Sequence, residues 1–579
     1  MMSISRKTIH IFSYIIYGFI SAVGCIATED DWKTLSNELH GNLHAASPLA
    51  RPCFSNYDGQ RVATDQERCA TVQNNWLNAS FRTSQFPGFL HLYGDGCISN
   101  FTDKCILNHD DPTSSPIFGE CNPGIVSPWY VDVRGPDDLQ AAFKFARRTR
   151  TRISIKATGH DYVSRSSLKG SLGLWTHNLK NITYHPSFTP AGCASCDAVP
   201  AMSLGAGVNI DEATRFAGRM NVTILAGSSP TIALAGGWSM FGGHGVLSPR
   251  LGLGVDRVLE VEIVTPDGQL RICNAENNAD LFWALRGAGG GSFGVVLRTT
   301  VKVEPAMPVI FAYMSFVPTD TNQKPFVDLL INHTKAWVPQ GWGGAMSSSE
   351  VELVTSLLDV EAATASMAEV SAYVEANNGT VSIRRFANYL DFYDVSIGAP
   401  SGKDETVGQG PLLSFRVLPK AMHDTAEGKE NLSSFLHTQV DLGRSPIIFL
   451  DVPYLYDYAK NTTSVHPAWR NSYWYMGFAI YYLWNSTEVE RVEAARASQQ
   501  LSNDMINLAP EGAAYPNEAN PWLADWQNQF WGENYPRLVD IKARYDPDGL
   551  VSCWKCVGFQ DEWIENDPAY GCMGALNNL

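Results

Sequence analysis

The apolar residues of this chain form one long run near the N-terminus and alternating patterns that begin near residue 125. The N-terminal run extends from Ile9 to about Ala22, follows two basic residues and precedes several small ones. This order is typical of a secretory signal peptide, which we assign to residues 1–27. Since Thr8–Ala27 also just reaches spanning length, an uncleaved membrane anchor is the alternative. No other apolar run is that long, which excludes a protein with several membrane spans.

A β-α-β pattern follows residues 28–124, which show little periodicity. Trp129–Val133 predicts a short strand, Pro136 begins a helix with regular apolar spacing, and Arg152–Lys156 predicts the next strand. The same periodicities predict further elements at Met202–Leu204, Asp211–Met220, Val222–Leu225, Val258–Val264, Leu270–Cys273 and Phe293–Val303. In the last of these, the apolar residues are predicted to share one face: Phe293, Val295, Leu297, Val301 and Val303.

The pattern changes again after Pro305 and Pro308. Residues 307–505 combine strands with amphipathic helices and contain far fewer glycine clusters, which indicates a second domain. The tail, residues 506–579, is rich in Trp, Asn and Pro. We therefore expect an α+β protein in which a Cys-rich region, residues 28–124, precedes a first regular domain, residues 125–306.

Composition narrows the class of protein further. Of the 579 residues, 45% are hydrophobic and 18% are charged, and the formal net charge is −16. A disordered chain has fewer apolar and more charged residues, and sequence-independent binding to nucleic acid needs a basic surface. We therefore expect a globular protein with no nucleic-acid partner. Its charged fraction is below the roughly 25% typical of soluble chains.

The cysteines and the glycosylation motifs agree with secretion. Of twelve cysteines, Cys25 lies in the signal segment, and the odd remainder leaves at least one unpaired or joined elsewhere. Five precede the first regular domain, where disulfides would pin a loop-rich region: Cys53, Cys69, Cys97, Cys105 and Cys121. Two CxxC pairs, Cys193/Cys196 and Cys553/Cys556, also allow zinc, but no His residue stands at zinc-finger spacing, so we expect no metal. Nine Asn-X-Ser/Thr motifs predict a glycosylated surface: Asn78, Asn100, Asn181, Asn221, Asn332, Asn378, Asn431, Asn461 and Asn485.

Three glycine-containing segments carry the candidate chemistry. The first, Lys156–Tyr162, follows a strand and places His160 after Gly159, which allows the backbone to approach a ligand closely. The second contains Leu225–Thr231 and Gly236–Gly245, whose N–H groups are suited to a pyrophosphate, although the Rossmann glycine order and the Walker lysine are missing. The third, Asp280–Val296, leads from a helix through a run of glycines into a strand, which suits main chain lying against a cofactor.

Taken in order, these segments resemble the FAD-binding domain of the vanillyl-alcohol-oxidase family. The resemblance is closest to berberine-bridge-enzyme-like oxidases, particularly fungal secreted FAD-linked oxidoreductases. It is strong over residues 125–305 and returns in the tail at Ala514–Glu518 and Trp531–Leu538. It implies a PCMH-type FAD-binding domain of two subdomains, an inserted α+β substrate domain with an antiparallel sheet, and a C-terminal segment that returns to the FAD domain.

The resemblance also implies which residues bind FAD. His160 matches the histidine that carries the cofactor covalently through the 8α carbon of the flavin. Ser229 stands where many relatives have a second linking cysteine, and because a serine forms no thioether we expect a single link. The other residues expected to bind the cofactor are Gly159, Gly227, Gly236, Gly237, Gly242, Gly243, His244, Gly291, Gly294 and Val295. Of these, His244 is expected to contact the flavin phosphates.

Two tyrosines are the catalytic candidates. Tyr162 matches a family tyrosine that lines the substrate side of the flavin, and Tyr515 matches one proposed as a base in several relatives. A tyrosine base needs a depressed pKa, which a nearby cation or hydrogen bond must supply. For both residues, a simple aromatic wall is the alternative.

The expected function is that of a secreted FAD-dependent oxidase. It would take a hydride from a small organic substrate, a secondary-metabolite alcohol by resemblance, and pass the electrons to O2. No stable membrane association is expected after signal cleavage. The alternatives are an oligosaccharide oxidase of the same fold, which would need an open groove lined with aromatic residues, and a flavin-binding protein or cyclase without redox turnover.

Overall fold

The computed structural model describes residues 27–100, 102–116, 119–398 and 407–579. The predicted signal peptide therefore lies outside the described residues except for Ala27. Among the helices in the described ranges, none is long and apolar enough to cross a membrane.

The predicted β-α-β pattern forms a four-stranded sheet. Its strand order is Leu43–Ala45, Trp129–Asp132, Leu172–Trp175 and Ile153–Lys156. The last three strands are parallel, and the first pairs antiparallel with Trp129–Asp132. The helix Pro136–Thr149 begins with its proline in the first turn and buries its apolar stripe in the same cluster as the sheet residues.

A five-stranded antiparallel sheet follows, in the order Leu270–Cys273, Val258–Val264, Val295–Lys302, Val199–Gly205 and Ile182–Phe188. The predicted hairpin between Val258–Val264 and Leu270–Cys273 is confirmed.

The prediction that Phe293–Val303 presents one apolar face is wrong. The residues opposite Glu262 and Ile263 are Arg298 and Val296, so the register skips Leu297. One extra residue reverses the alternation of side chains along a strand. Val295 consequently packs in one apolar cluster and Val301 in another.

A seven-stranded antiparallel sheet is built from residues 309–483. Its order is Thr380–Phe386, Val309–Ser315, Glu350–Thr355, Gly343–Met346, Ile447–Phe449, Ser472–Leu483 and Gln409–Pro419. Along Ser472–Leu483, Trp474 and Met476 pack in the cluster that contains the apolar residues of the helices, whereas Tyr475 packs in a different cluster. The sheet therefore has one face covered by helices and another available to a site.

The helices and two short pairs of strands complete the α+β architecture that the resemblance implied. Glu304–Pro305 pairs with Val222–Thr223, and Asn56–Tyr57 with Gln60–Arg61. A π-helical turn spans Leu234–Trp238. Besides Pro136–Thr149, the α-helices are Glu29–Glu38, Gln66–Asn74, Ala79–Thr83, Ile210–Arg219, Ser239–Phe241, Ser248–Leu251, Gly254–Arg257, Ala279–Leu285, Gln323–Trp337, Val360–Ser366, Ala368–Ala376, Tyr389–Val395, Ala421–Asp424, Ala426–Asp441, Glu488–Leu508, Trp526–Trp531, Tyr535–Tyr545, Glu562–Asn566 and Gly571–Gly574.

The disulfides only partly follow the sequence expectation. Cys53–Cys69 and Cys105–Cys121 pin the N-terminal region as predicted. Cys97 instead pairs with Cys572 near the C-terminus, so it ties the two ends of the described chain together. Both CxxC pairs, Cys193–Cys196 and Cys553–Cys556, are disulfides. Among the cysteines within the described ranges, Cys273 is free and buried.

Candidate active site

A cavity of about 410 Å³ is lined by segments that are far apart in the sequence. Its volume lies within the range of cofactor and small-molecule sites. One part of its wall comes from the loop after the strand Ile153–Lys156 and from the glycine segments, and another from the seven-stranded sheet. Residues 515–518 and 551–553 of the tail complete it.

Most of the predicted site residues come together in this cavity. Those that line it are Gly159, His160, Tyr162, Gly227, Ser229, Gly236, Gly237, His244, Gly291 and Tyr515. The other four, Gly242, Gly243, Gly294 and Val295, stand behind the wall. A Cβ at Gly242 would lie 3.5 Å from the Tyr515 ring, at Gly243 2.8 Å from the Trp238 ring, and at Gly294 2.4 Å from the Val264 carbonyl oxygen. Val295 is fully buried in an apolar cluster, so these four serve packing.

The loop that carries His160 is held by a buried lysine. Lys156 is 1% exposed, and its Nζ donates to the carbonyl oxygens of Gln85 at 2.8 Å and Phe86 at 2.7 Å, and to that of Gly88. Burial lowers the pKa of Lys156 well below its ordinary value. Gly159 has a φ of +84°, and a Cβ there would lie 2.7 Å from the Lys156 side chain. Glycine is therefore required before His160, both by the backbone conformation and by the space.

The cavity fits the FAD that the sequence implies. His160 Nε2 hydrogen-bonds with the Thr231 hydroxyl, which places the imidazole beside the second glycine segment. Ser229 Oγ is buried at the cavity wall and has no hydrogen-bond partner among the described residues. A Cβ at Gly237 would meet nothing within 4 Å, and at Gly291 only Cys553 Sγ at 3.5 Å. An orphaned hydroxyl and main chain left bare by glycine are features of a wall that contacts a polar ligand.

Arg165 joins the His160 loop to the tail. The Asp161 carboxylate accepts from the N–H groups of Val163 at 2.9 Å and Arg165 at 2.7 Å. It also pairs with the Arg165 guanidinium, whose Nη2 donates to the Pro516 carbonyl oxygen at 3.0 Å. Arg165 is 6% exposed. This buried contact, between residues 351 apart in sequence, brings Tyr515 into the wall that His160 lines.

Tyr515 is buried, and opposing influences act on its hydroxyl. The Gly243 N–H donates to its hydroxyl, and Arg165 lies near enough to favour the phenolate. Burial and the Glu518 carboxylate outweigh both effects and raise the pKa of Tyr515 far above its ordinary value. A tyrosine base needs a depressed pKa, and burial and Glu518 act in the opposite direction.

His244 lies between two carboxylates. Its Nδ1 is 3.3 Å from Asp451 Oδ2 and its Nε2 is 3.4 Å from Glu518 Oε2. Burial opposes protonation, but Glu518 and Asp451 outweigh it and raise the pKa of His244 to about 10. Its ring also packs against Tyr515, with centroids 5.7 Å apart, and against Tyr475 at 5.0 Å. This position beside carboxylates differs from the contact with flavin phosphates that we expected, because an anionic group would be repelled there.

Tyr162 lines the cavity. Its ring stacks on His91, with the centroids 4.5 Å apart and the planes inclined by 28°. His91 lines the same cavity and comes from the N-terminal region, to which the sequence assigned no site residue. The wall around His160 thus includes a residue that no motif indicated.

The seven-stranded sheet contributes an apolar wall. Alternate residues of one strand, Gln409, Pro411, Leu413 and Phe415, line the cavity, and so do alternate residues of two neighbouring strands: Ile447, Phe449, Ala479 and Tyr481. Period-two spacing places each set on one face of the sheet. Among the tryptophan and tyrosine residues of 452–485, Tyr481 lines the cavity, whereas Trp469, Trp474, Tyr475, Tyr482 and Trp484 are buried.

Comparison with known proteins agrees with this geometry. The family model "FAD binding domain" matches residues 128–274, and "Berberine and berberine like" matches residues 514–550. The chain is 55% identical to the FAD-linked oxidoreductase cheF of Chaetomium globosum, over 96% of this chain and 90% of that protein. It is 46% identical to the FAD-linked oxidoreductase OXR2 of Pyricularia oryzae, over 94% of this chain and 95% of that protein.

A solved structure has the same architecture. The VAO-type flavoprotein MtVAO615 of Myceliophthora thermophila aligns with a TM-score of 0.80 and 27% identity, covering 93% of this chain and 96% of that one. The resemblance to the vanillyl-alcohol-oxidase family and the α+β fold that it implied are therefore confirmed. The chain belongs to the FAD-linked oxidoreductases of the vanillyl-alcohol-oxidase and berberine-bridge-enzyme-like family.

Proposed function

We propose that this FAD-linked oxidoreductase is a secreted oxidase that takes a hydride from a small, largely apolar alcohol and passes the electrons to O2. The observation that carries the proposal is one cavity with two unlike walls. His160, Ser229 and the bare glycines of one wall suit a cofactor, and the apolar sheet residues of the other suit an apolar substrate. A reaction between a cofactor and a second molecule requires one cavity that holds both, each against a surface that suits it.

His160 would hold FAD covalently, and the main chain at Gly237 and Gly291 would lie against it. When bound, FAD supplies the hydride acceptor that no amino-acid side chain provides. Ser229 keeps the covalent attachment to one link, because its hydroxyl forms no thioether. The Lys156 and Arg165 contacts hold the His160 loop in place.

The apolar wall favours an apolar alcohol over an oligosaccharide. A sugar brings many hydroxyl groups, and each that is buried needs a hydrogen-bond partner. Leu413, Phe415, Ile447 and Phe449 offer none from their side chains, and Gln409 and Tyr481 are the polar residues of this wall.

Two features support secretion. The asparagines of all nine glycosylation motifs are exposed, so each is accessible for glycan attachment. Five disulfides are formed among the described residues, which is typical of proteins that mature in an oxidising compartment. The surface glycans would also compensate for the low charged fraction of 18%.

The proposal is tested by mixing the purified holoenzyme with apolar allylic alcohols, cinnamyl alcohol and geraniol, and with a cello-oligosaccharide. We expect anaerobic bleaching of the flavin by the alcohols, and hydrogen peroxide once O2 is admitted. Bleaching by the oligosaccharide alone would favour the carbohydrate oxidase. A flavin that stays oxidised with every compound would favour a flavin-binding protein or cyclase without redox turnover, and would contradict the proposal.

A further inference from the structure

We propose that Glu518 accepts the hydroxyl proton of the substrate and that His244 is the positioning residue that holds Glu518 in place. The inference rests on the proposed oxidase function, because it assigns the base for that reaction. It replaces the expectation that Tyr515 is the base. No motif singled out Glu518, although it ends the segment Ala514–Glu518 by which the tail was matched.

The carboxylate of Glu518 faces the cavity with one oxygen firmly held. Its Oε2 accepts a hydrogen bond from the Tyr475 hydroxyl at 2.8 Å, and the side chain is 19% exposed at the cavity wall. Among the described residues, its Oε1 makes one long contact, 3.5 Å from His244 Nε2. A carboxylate fixed through one oxygen keeps acceptor capacity on the other for a substrate hydroxyl.

A chain of contacts fixes this arrangement from the sheet. The Gly344 N–H donates to Asp451 Oδ1 at 2.7 Å, and Asp451 is completely buried. Asp451 Oδ2 in turn holds Nδ1 of His244, whose Nε2 faces Glu518. Burial raises the pKa of Asp451, and the His244 and Gly344 contacts oppose this effect.

The charged and titratable groups around Glu518 come from three regions of the chain. His244 belongs to the second glycine segment, Asp451 and Tyr475 to the sheet region, and Tyr515 to the tail itself. The pKa of Tyr475 is raised well above its ordinary value by burial and Glu518, so Tyr475 remains a donor. Glu518 is the carboxylate of this group that lines the cavity, whereas Asp451 is completely buried and lies outside the lining.

The alcohol loses a proton and a hydride in this step. The substrate O–H bond breaks, its proton moves to Glu518 Oε1, and its electron pair forms the C=O bond of the aldehyde product. At the same time, the hydride on the carbon that bears this hydroxyl would pass to FAD, which is the oxidant. One alcohol thus gives one aldehyde, a proton on Glu518 and a two-electron reduced cofactor.

The test compares anaerobic single-turnover flavin reduction by cinnamyl alcohol and geraniol in the wild type, Glu518→Gln, Glu518→Asp and Tyr515→Phe. Loss of a general base costs about 10²–10⁴ in rate. We expect a loss of this size in the maximal rate for Glu518→Gln, partial recovery for Glu518→Asp, and an effect at least tenfold smaller for Tyr515→Phe. Glu511→Gln, which changes an exposed glutamate outside the cavity lining, is the matched control and should leave the rate unchanged.

A second readout needs no substrate. In ¹⁵N-histidine NMR spectra, the signal that disappears in His244→Gln identifies the His244 imidazole. We expect this imidazole to stay protonated to beyond pH 8 in the wild type and to lose its proton at lower pH in Glu518→Gln. Slow flavin reduction in Tyr515→Phe together with fast reduction in Glu518→Gln would overturn the assignment. A pKa of His244 in the wild type near the ordinary value of a histidine would overturn it as well. If neither alcohol reduces the wild-type flavin, the proposed function itself fails and the base assignment with it.

Discussion

Gly159 shows how strongly one residue constrains the loop that carries His160. Gly159 and Gly170 both have positive φ values, +84° and +74°, but only at Gly159 would a Cβ meet other atoms. We expect Gly159→Ala to lower stability by more than Gly170→Ala, which carries only the backbone strain of about 1–2 kcal/mol. Urea denaturation of both variants measures the difference. Equal losses would show that the loop tolerates the added methyl group.

His244 makes stability depend on pH. Its pKa is about 10 in the folded protein, above the roughly 6.5 of an unfolded chain, so the folded protein binds an extra proton between these values. This stabilisation is complete below about pH 6.5 and is lost as the pH rises through about 10, at roughly 1.4 kcal/mol for each pH unit. We expect the free energy of unfolding to fall over this interval in the wild type, and less steeply in His244→Gln. If the free energy of unfolding fell equally steeply with pH in both proteins, the raised pKa of His244 would be contradicted.

At the scale of elements, Arg165 couples the His160 loop to the tail. Its guanidinium is buried between Asp161 and the Pro516 carbonyl oxygen. Removing one partner of a buried pair costs about 3–5 kcal/mol, whereas an exposed pair is worth about 0–1 kcal/mol. We expect Arg165→Met to be strongly destabilising and Arg298→Ala, in the exposed pair with Glu262, to be nearly neutral. Thermal unfolding measures both variants. Similar shifts in unfolding temperature would show that the Arg165 contacts stabilise the protein no more than the exposed pair does.

The elements that could be predicted from the sequence are those with local signals. The β-α-β pattern and the Val258–Cys273 hairpin depend on neighbouring residues, and His160, Ser229 and Tyr515 lie in recognisable segments. The reversal at Leu297 was missed because it depends on the pairing with Glu262 and Ile263. Asp451 and Arg165 were missed for the same reason, since their partners come from other segments.

At the scale of the whole molecule, Cys97–Cys572 closes a far longer segment of chain than the other disulfides. The paired cysteines are 475 residues apart, against 3 for Cys193–Cys196. The chain-entropy model gives about 6 kcal/mol for the long loop and about 2 kcal/mol for the short one. We expect the double serine variant of Cys97 and Cys572 to lower the unfolding temperature more than that of Cys193 and Cys196. The reverse order would show that packing already fixes the two ends.

The attachment of FAD to His160 tests the central claim most directly. The measurement is acid precipitation of the purified protein, followed by mass spectrometry of the peptide that contains His160. We expect the yellow colour to stay in the pellet and this peptide to carry the mass of FAD, in the wild type and in Ser229→Ala, but not in His160→Ala. Colour released into the supernatant, together with an unmodified His160 peptide in the wild type, would contradict the account.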